Sequence, residues 1–541
     1  MVLFSLTVLA SSASHQSTPE SGTSSNFVGN QACAGCHAQI FDSYSRTPMA
    51  RASGPALDHF SPADFLHAPS HVHYRLYEES GKAWLSFDRP GDPQVKGKRE
   101  LLYYIGSGRR GRTYLFATNG FLFESPINWY AKQGVLDMAP AYREAHEMPL
   151  NLPAFTSCLA CHTSQMQPPE PGTDNRYPNP AFVHAGVSCE RCHGPGSSHV
   201  AGGRIVNPAK LSAERRDQVC MQCHLEGAAA IERPGTHLYD YRAGQNLSDF
   251  VRYYVLTDSH QASLGAVSQV EALTQSTCKK KSGDAMSCTS CHDPHYSPPA
   301  EERVSFYRQK CLACHGTSFA AKHHANEPDC TGCHMPALQS TDIAHTQVTD
   351  HRIPLRPSAE AIPSSASPIT PRLTLFPGNS SGDERDLALA WESLAESKMP
   401  DATPEAERQL QRALKISPAD PFLLSGLAYM ELQKGQASKA QLLYEHALTI
   451  DPTLADAATN LGVIYARQGN ARLALSLWIP VSDRNPARSE VGMNIANTWC
   501  AASKPDRAQD ALLRVLEFNP DFGPAKDMLH SLEHSRPSCG K

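Results

Sequence analysis

The chain has no excess of basic charge and, beyond its first residues, no long apolar run. Lys and Arg number 49 against 54 Asp and Glu, a net charge of −5, so nothing marks a nucleic-acid surface. No uncharged apolar stretch in the body of the chain reaches the length of a bilayer crossing, and no transmembrane span is expected. The apolar residues 2–10 are followed by small ones, with cleavage expected near Ala13. They resemble an export signal without its usual Lys or Arg, and residues 1–26 are read as a signal-like segment and a Ser/Thr-rich flexible tail. Cysteine outside one motif is also nearly absent: only Cys278, Cys500 and Cys539 of 17. Cys278 reads as an inert thiol and Cys500 as core of a repeat helix.

The other fourteen cysteines form seven copies of Cys-x-x-Cys-His, where chance predicts about 0.02 copies. They are Cys33/Cys36/His37, Cys158/Cys161/His162, Cys189/Cys192/His193, Cys220/Cys223/His224, Cys288/Cys291/His292, Cys311/Cys314/His315 and Cys330/Cys333/His334. This is the attachment signature of haem c: each thiol forms a thioether to a porphyrin vinyl group, and the adjacent His supplies the proximal nitrogen to iron. Paired cysteines can also bind zinc or form disulfides, but neither demands a His at the same offset every time. Seven covalent haems are expected.

First cysteines lie 125, 31, 31, 68, 23 and 19 residues apart. The short gaps leave too little chain to bury an ordinary apolar core, so short helices and loops wrapped on porphyrin are expected. In the longest gap, runs of aromatic and β-branched residues alternate with polar ones, and Asn119-Gly120 is a hairpin signal. Residues 72–124 are read as a small antiparallel β insertion. Arg109, Arg110 and Arg112 within it could pair with haem propionates, though an exposed basic turn is the plainer reading.

Residues 356–383, rich in Pro and Ser, read as a linker after a cytochrome domain over 27–355. Beyond it Pro418, Pro452, Pro486 and Pro520 recur every 34 residues, as do Ala440, Ala474 and Ala508. That period, with small residues where helices cross, matches tetratricopeptide repeats over 384–537. Three full repeats, a partial one before Pro418 and a cap after Pro520 are expected. The fold class is thus mainly α, a multihaem domain followed by an α-solenoid. Because each repeat contacts only its neighbours, the solenoid is expected to fold alone, and its concave surface would dock a protein partner.

Fourteen histidines between residues 26 and 355 lie outside the motifs, enough for a distal ligand at every iron. His199, after "CHGPGSS", and His295, after "CHDP", are too close in sequence to reach over their own haem easily but can cross to a neighbour. His345 and His351 follow the last motif. His324, with His323 as its substitute, precedes it. His73 and His146 complete the candidate distal set. His67, His71, His184, His237 and His260 are weaker candidates, for which surface or core His is the plain reading.

"GVSCERCHGPGSSH" and "MSCTSCHDPH" resemble haem-binding segments of the tetrahaem cytochrome c of nitrifying bacteria and the wider hydroxylamine-oxidoreductase-like group. "YYIGSGRRGRTYL", "FESPINWY", "IVNPAKLSAERRDQVCMQCH" and "DCTGCHMP" look like bacterial proteins that join such a domain to tetratricopeptide repeats. The resemblance covers about residues 27–356. It implies haems stacked in parallel and perpendicular pairs, with His199 and His295 as distal ligands. Catalytic members use an open iron and a tyrosine cross-linked to haem, and no Tyr here matches that role. The leading expectation is an exported, periplasmic electron carrier with a redox partner protein and a second partner on the repeats. The alternative is a haem oxidoreductase acting on a small nitrogen or sulfur species at one five-coordinate iron.

Overall fold

The computed structural model describes residues 26–257, 268–323, 327–337, 349–355, 372–378, 383–397 and 399–534. His260, His324, His345, Cys539, the signal-like segment and most of the proposed linker lie outside the described residues.

The β insertion is larger than the sequence suggested. Eight strands form one antiparallel sheet: β1 (Ser53–Pro55), β2 (Ala63–His67), β3 (Val72–Glu79), β4 (Lys82–Arg89), β5 (Asp92–Ile105), β6 (Gly111–Thr118), β7 (Phe121–Tyr130) and β8 (Val135–Met138). β2 to β8 run as a meander, and β1 pairs with the end of β5. The short outer strands β1, β2 and β8 fall outside the expected bounds of 72–124, and the upper bound cuts β7. Alternation is clear in the centre, where Val72, Tyr74 and Leu76 face Ala83, Leu85 and Phe87 within one core. Asn119 and Gly120 take φ of 51° and 84° and close the β6–β7 hairpin.

The segment read as linker also contains structure. Arg372–Phe376 is a strand that pairs with Val251–Thr257, which in turn pairs with Ala229–Glu232. Its Leu373 and Leu375 sit against the first repeat helix, an apolar alternation hidden in a Pro-rich context.

From Glu384 to His534 the described chain is helical apart from turns. Glu384–Ser397 pairs with Thr403–Ile416, Pro421–Gln433 with Ala437–Ile450, Ala455–Arg467 with Ala471–Arg484, and Ser489–Ala501 with Pro505–Phe518; Gly523–His534 closes the stack. The unit before Pro418 is thus a whole hairpin. The small residues act as expected at the crossings: a Cβ on Gly462 would lie 2.3 Å from Trp478 Nε1. Among the described residues no helix is long and apolar enough to cross a membrane.

The solenoid is joined to the rest at both ends. At its start, Asp386 is fully buried between Arg233, Arg252 and Arg385. At its end, Asp521 receives Arg89, Lys526 and the backbone N–H of Met148, and Phe518 enters the core of the large sheet.

Candidate haem centres

Six motifs lie on or end a short helix: Thr156–His162, Cys189–His193, Ala213–His224, Cys288–Cys291, Arg303–His315 and Cys330–His334. The first begins in Asn30–Ala34, with His37 just beyond. Helical spacing puts both thiols of a motif on one face, one turn apart, with the imidazole next to the second. The ring orientation is set by second bonds. Nδ1–H of His193 donates to Val206 O at 2.8 Å, that of His334 to Pro354 O at 2.9 Å and that of His162 to Ala52 O at 3.2 Å. A carbonyl can only accept, so each Nε2 keeps its lone pair for a metal.

Among the described residues, four motif histidines face a second imidazole. His37 and His199 have ring centroids 6.4 Å apart and planes 13° from parallel. His193 and His295 are 6.0 Å apart at 8°, His292 and His351 6.2 Å at 26°, and His334 and His323 6.0 Å at 28°. Two imidazoles bound through nitrogen to one metal, at bonds of about 2 Å, put their centroids about 6 Å apart. The spacing therefore fits an iron between the rings, and the residues present fit haem c. Nδ1–H of His199 donates to Gly203 O and that of His351 to Thr349 O, so the facing rings also aim Nε2 inward. Partial burial pushes the imidazolium forms of His193 and His351 below the ordinary range, keeping a neutral lone pair available. Among the described residues no group of three or more His, Cys, Asp or Glu side chains is arranged to cage a metal ion.

His199 follows the Gly-Pro-Gly turn, which Glu190 holds in place. Its carboxylate is 1% exposed and accepts the N–H groups of Val28, Gly29 and Gly196 at 2.8–2.9 Å. One residue inside the third motif thus ties the approach to the first motif to the loop carrying His199. The variable positions of Cys-x-x-Cys-His carry no sequence signal, so this role was not legible beforehand.

His73 and His146 are not brought to any motif histidine. His73 points from the outer side of β3 and bonds Asp64 at 2.6 Å, because strand alternation turns it away from the core. His146 bonds Pro69 O beside the sheet. His67 uses both ring nitrogens, on Ser70 Oγ and Arg143 O. His224 is exposed and lies beside Gln269, and His315 lies 5.1 Å from the Phe319 ring. The structure places His323, the substitute named for His324, opposite His334, while His324 itself lies outside the described residues.

The motifs also touch one another. Cys33 contacts Cys189, Cys161 contacts Cys223, Cys220 contacts Cys288, and Cys311 contacts Cys330. Cys192 lies near Cys223, and Cys291 near Cys314. Numbered by sequence, the motifs run in space 1–3–4–5–6–7, with motif 2 joined at motif 4.

The attachment thiols are not equally enclosed, although the sequence gives all fourteen the same standing. Cys36, Cys314 and Cys333 are exposed, while the other eleven are half-buried. Cys36 lies past the end of its helix, in the turn that leads to His37. Cys333 lies in the last turn of Cys330–His334. Motifs 1 and 7 are the two ends of the spatial path, so each has a neighbouring motif on one side only. Their first thiols, Cys33 and Cys330, take that side, and Cys36 and Cys333 are left facing outward. At these two positions the protein supplies little of the cover around the thioether, and a porphyrin edge attached there would supply the rest.

The family described as cytochrome c554 and c-prime matches residues 134–194, which hold motifs 2 and 3. A curated relative, "Multiheme cytochrome MtrA" of Shewanella baltica (strain OS185), is 26% identical over 188 residues, 32% of this chain. The chain spans 56% of that relative's length. These matches support a multihaem c-type cytochrome. Among solved structures, the crystal structure of MamA is 15% identical over 25% of this chain and 78% of its own, at a TM-score of 0.23. YrrB, described as a TPR protein with an unusual peptide-binding site, is 20% identical over 27% of this chain and 74% of its own, also at 0.23. Likeness at that level carries no argument, and the repeat architecture rests on the chain's own paired helices.

Proposed function

We propose that this protein is an exported electron carrier with seven covalently bound haems, one at each motif. The observation that carries the reading is the set of four imidazole pairs spaced 6.0–6.4 Å apart, each joining a motif histidine to a histidine outside that motif. His199, His295, His351 and His323 are the distal ligands in this reading. Bound haem supplies a one-electron Fe(III)/Fe(II) couple at each motif. The chain does the rest. Its thiols anchor the ring edges, and its carbonyls fix the imidazole tautomers. At the four motifs where two imidazoles face each other, they would hold the iron from both sides and leave no room for substrate, which favours transfer over catalysis. The cysteine contacts set successive attachment points side by side, so no long gap interrupts the path.

Thioether attachment takes place on the exported side of a bacterial membrane, in keeping with the c-type resemblance. Cys500 is disulfide-bonded, a state that persists in oxidising compartments, and this supports export independently. The repeats present a surface for a redox partner, held rigidly to the carrier by the junctions at both ends.

Pyridine haemochrome against protein mass tests the reading. About seven haems per chain are expected, with low-spin signals dominating the EPR spectrum. Bound zinc in place of haem would overturn it.

A further inference from the structure

The turn between β5 and β6 carries basic charge to a motif far along the chain. Arg109 and Arg110 lie in that turn and are exposed. Arg109 Nη1–H donates to Ser297 Oγ at 3.3 Å, across 188 residues. Arg303, also exposed, opens the helix Arg303–His315 and acts on both guanidiniums electrostatically. Among the described residues none of the three forms an ion pair. Glu302, next to Arg303, accepts the Tyr296 hydroxyl at 2.6 Å, and Glu301 is exposed beside it. In a chain of net charge −5, three cations held together without partners repel one another, and an external anion relieves that repulsion.

The patch has an apolar centre. Phe306 stands between Tyr296 and Tyr307, with ring centroids 6.1 Å and 5.2 Å away. Tyr307 leads on to motif 5. Its ring is edge-on to that of His292 at 5.7 Å, and its hydroxyl lies 3.4 Å from His292 Nδ1. The Nδ1 side of an imidazole that ligates through Nε2 faces away from the metal. Tyr307 and the guanidiniums beyond it therefore stand behind the ring, toward solvent, and not over a porphyrin. A small apolar centre with a charged rim is the anatomy of a transient electron-transfer contact.

We propose that Arg109, Arg110 and Arg303, around Tyr307, form the docking patch for an acidic redox protein that exchanges one electron with the haem of motif 5. The proposal rests on the carrier reading above and names where electrons cross the protein surface. Carboxylates of the partner meet the guanidiniums, whose paired N–H donors match them. The local field draws the partner in against the chain's overall negative charge. One electron then moves between the partner's redox centre and the iron at motif 5; one centre is oxidised as the other is reduced, and no bond forms or breaks. His292 and Tyr307 span the way from iron to surface, so the axial positions stay closed. Motif 5 lies between motifs 4 and 6 on the spatial path, and an electron entering there can leave in either direction.

Stopped-flow reduction of the full-length holoprotein tests this, with two reductants: an acidic flavodoxin in its hydroquinone form, and reduced lumiflavin, which is small and neutral. The variants are Arg109→Glu, Arg110→Glu and Arg303→Glu. Arg507→Glu, exposed on the repeat helix Pro505–Phe518, is the control. Haem content is counted first, by pyridine haemochrome. The wild-type flavodoxin rate should fall several-fold as ionic strength rises from about 0.01 M to about 0.15 M. Each patch reversal should lower the low-salt rate about tenfold and flatten its salt dependence, with the lumiflavin rate unchanged. Arg507→Glu should match the wild type. Should one reversal impair haem loading, the other two still have to give the effect. A wild type without haem overturns the carrier reading and this proposal with it. In a haem-loaded protein, flavodoxin rates that ignore salt and the reversals overturn this proposal alone. So do equal losses with lumiflavin, which assign the effect to potential, and an equal loss in Arg507→Glu, which moves the contact to the repeats.

Discussion

Phe518, at the end of the last repeat hairpin, stands edge-on to Phe121 of the large sheet, with ring centroids 5.8 Å apart and planes at 88°. It also lies 6.0 Å from Phe123. That side chain is 2% exposed and packs in the core of the sheet, so the last hairpin and the sheet share buried surface. The expectation that the repeats fold alone does not follow from this geometry. Phe518→Ala should cost about 3–5 kcal/mol, and in the wild type the haem Soret and helical signals should melt together. Separate transitions would show that the interface is weak.

The facing imidazoles predict a specific pattern of spectral change. His199→Ala should leave one iron with a single axial imidazole, producing a high-spin signal and new carbon monoxide binding. His295→Ala, His351→Ala and His323→Ala should each do the same. His73→Ala should leave the spectrum unchanged, since that ring is bonded to Asp64 instead. EPR of the purified variants checks all five.

Glu190 should matter as much as a ligand. Glu190→Ala leaves three backbone donors without an acceptor, two of them leading into motif 1 and one leading to His199. A loss of about 3 kcal/mol or more is expected, on the basis of roughly 1–3 kcal/mol for each orphaned donor. The same variant should give part of the high-spin signal seen for His199→Ala. A destabilised protein with an unchanged EPR spectrum would separate the two roles.

The repeat array should carry a pH dependence from Glu392. Burial, then the charges of Glu396, Asp456 and Asp420, push its carboxyl from 4.5 up to about 8. The raised value means that the folded chain favours the neutral acid. Its contribution to stability is full below the ordinary carboxylate range and is lost as pH rises through about 8. Glu392→Gln should therefore raise the melting temperature by a few degrees at pH 8 and change it little at pH 4. Equal effects at both values would remove the titration from the account.

The sequence by itself determined what is local. Cys-x-x-Cys-His needs only a helical turn to set two thiols and an imidazole on one edge, so the expectation of haem c and of its proximal histidines needs no fold. The 34-residue period was readable for the same reason, since each hairpin buries its face against the next. Asn119-Gly120 signalled its turn through its own backbone preference.

Only the tertiary structure decided what joins distant segments. Which histidine faces which motif depends on how loops cross, so His199 meets His37 while His295 meets His193, and the motifs do not follow one another in chain order. The outward placement of Cys36 and Cys333 follows from their motifs ending that path, a position the repeated motif itself does not record. The role of Glu190 arises from burial between the first and third motifs, which no local pattern encodes. The anchoring of the solenoid rests on pairs such as Arg89 and Asp521, 432 residues apart. Complementary charge of that kind carries no signal in sequence, because a surface Arg and a buried, paired Arg are written with the same letter.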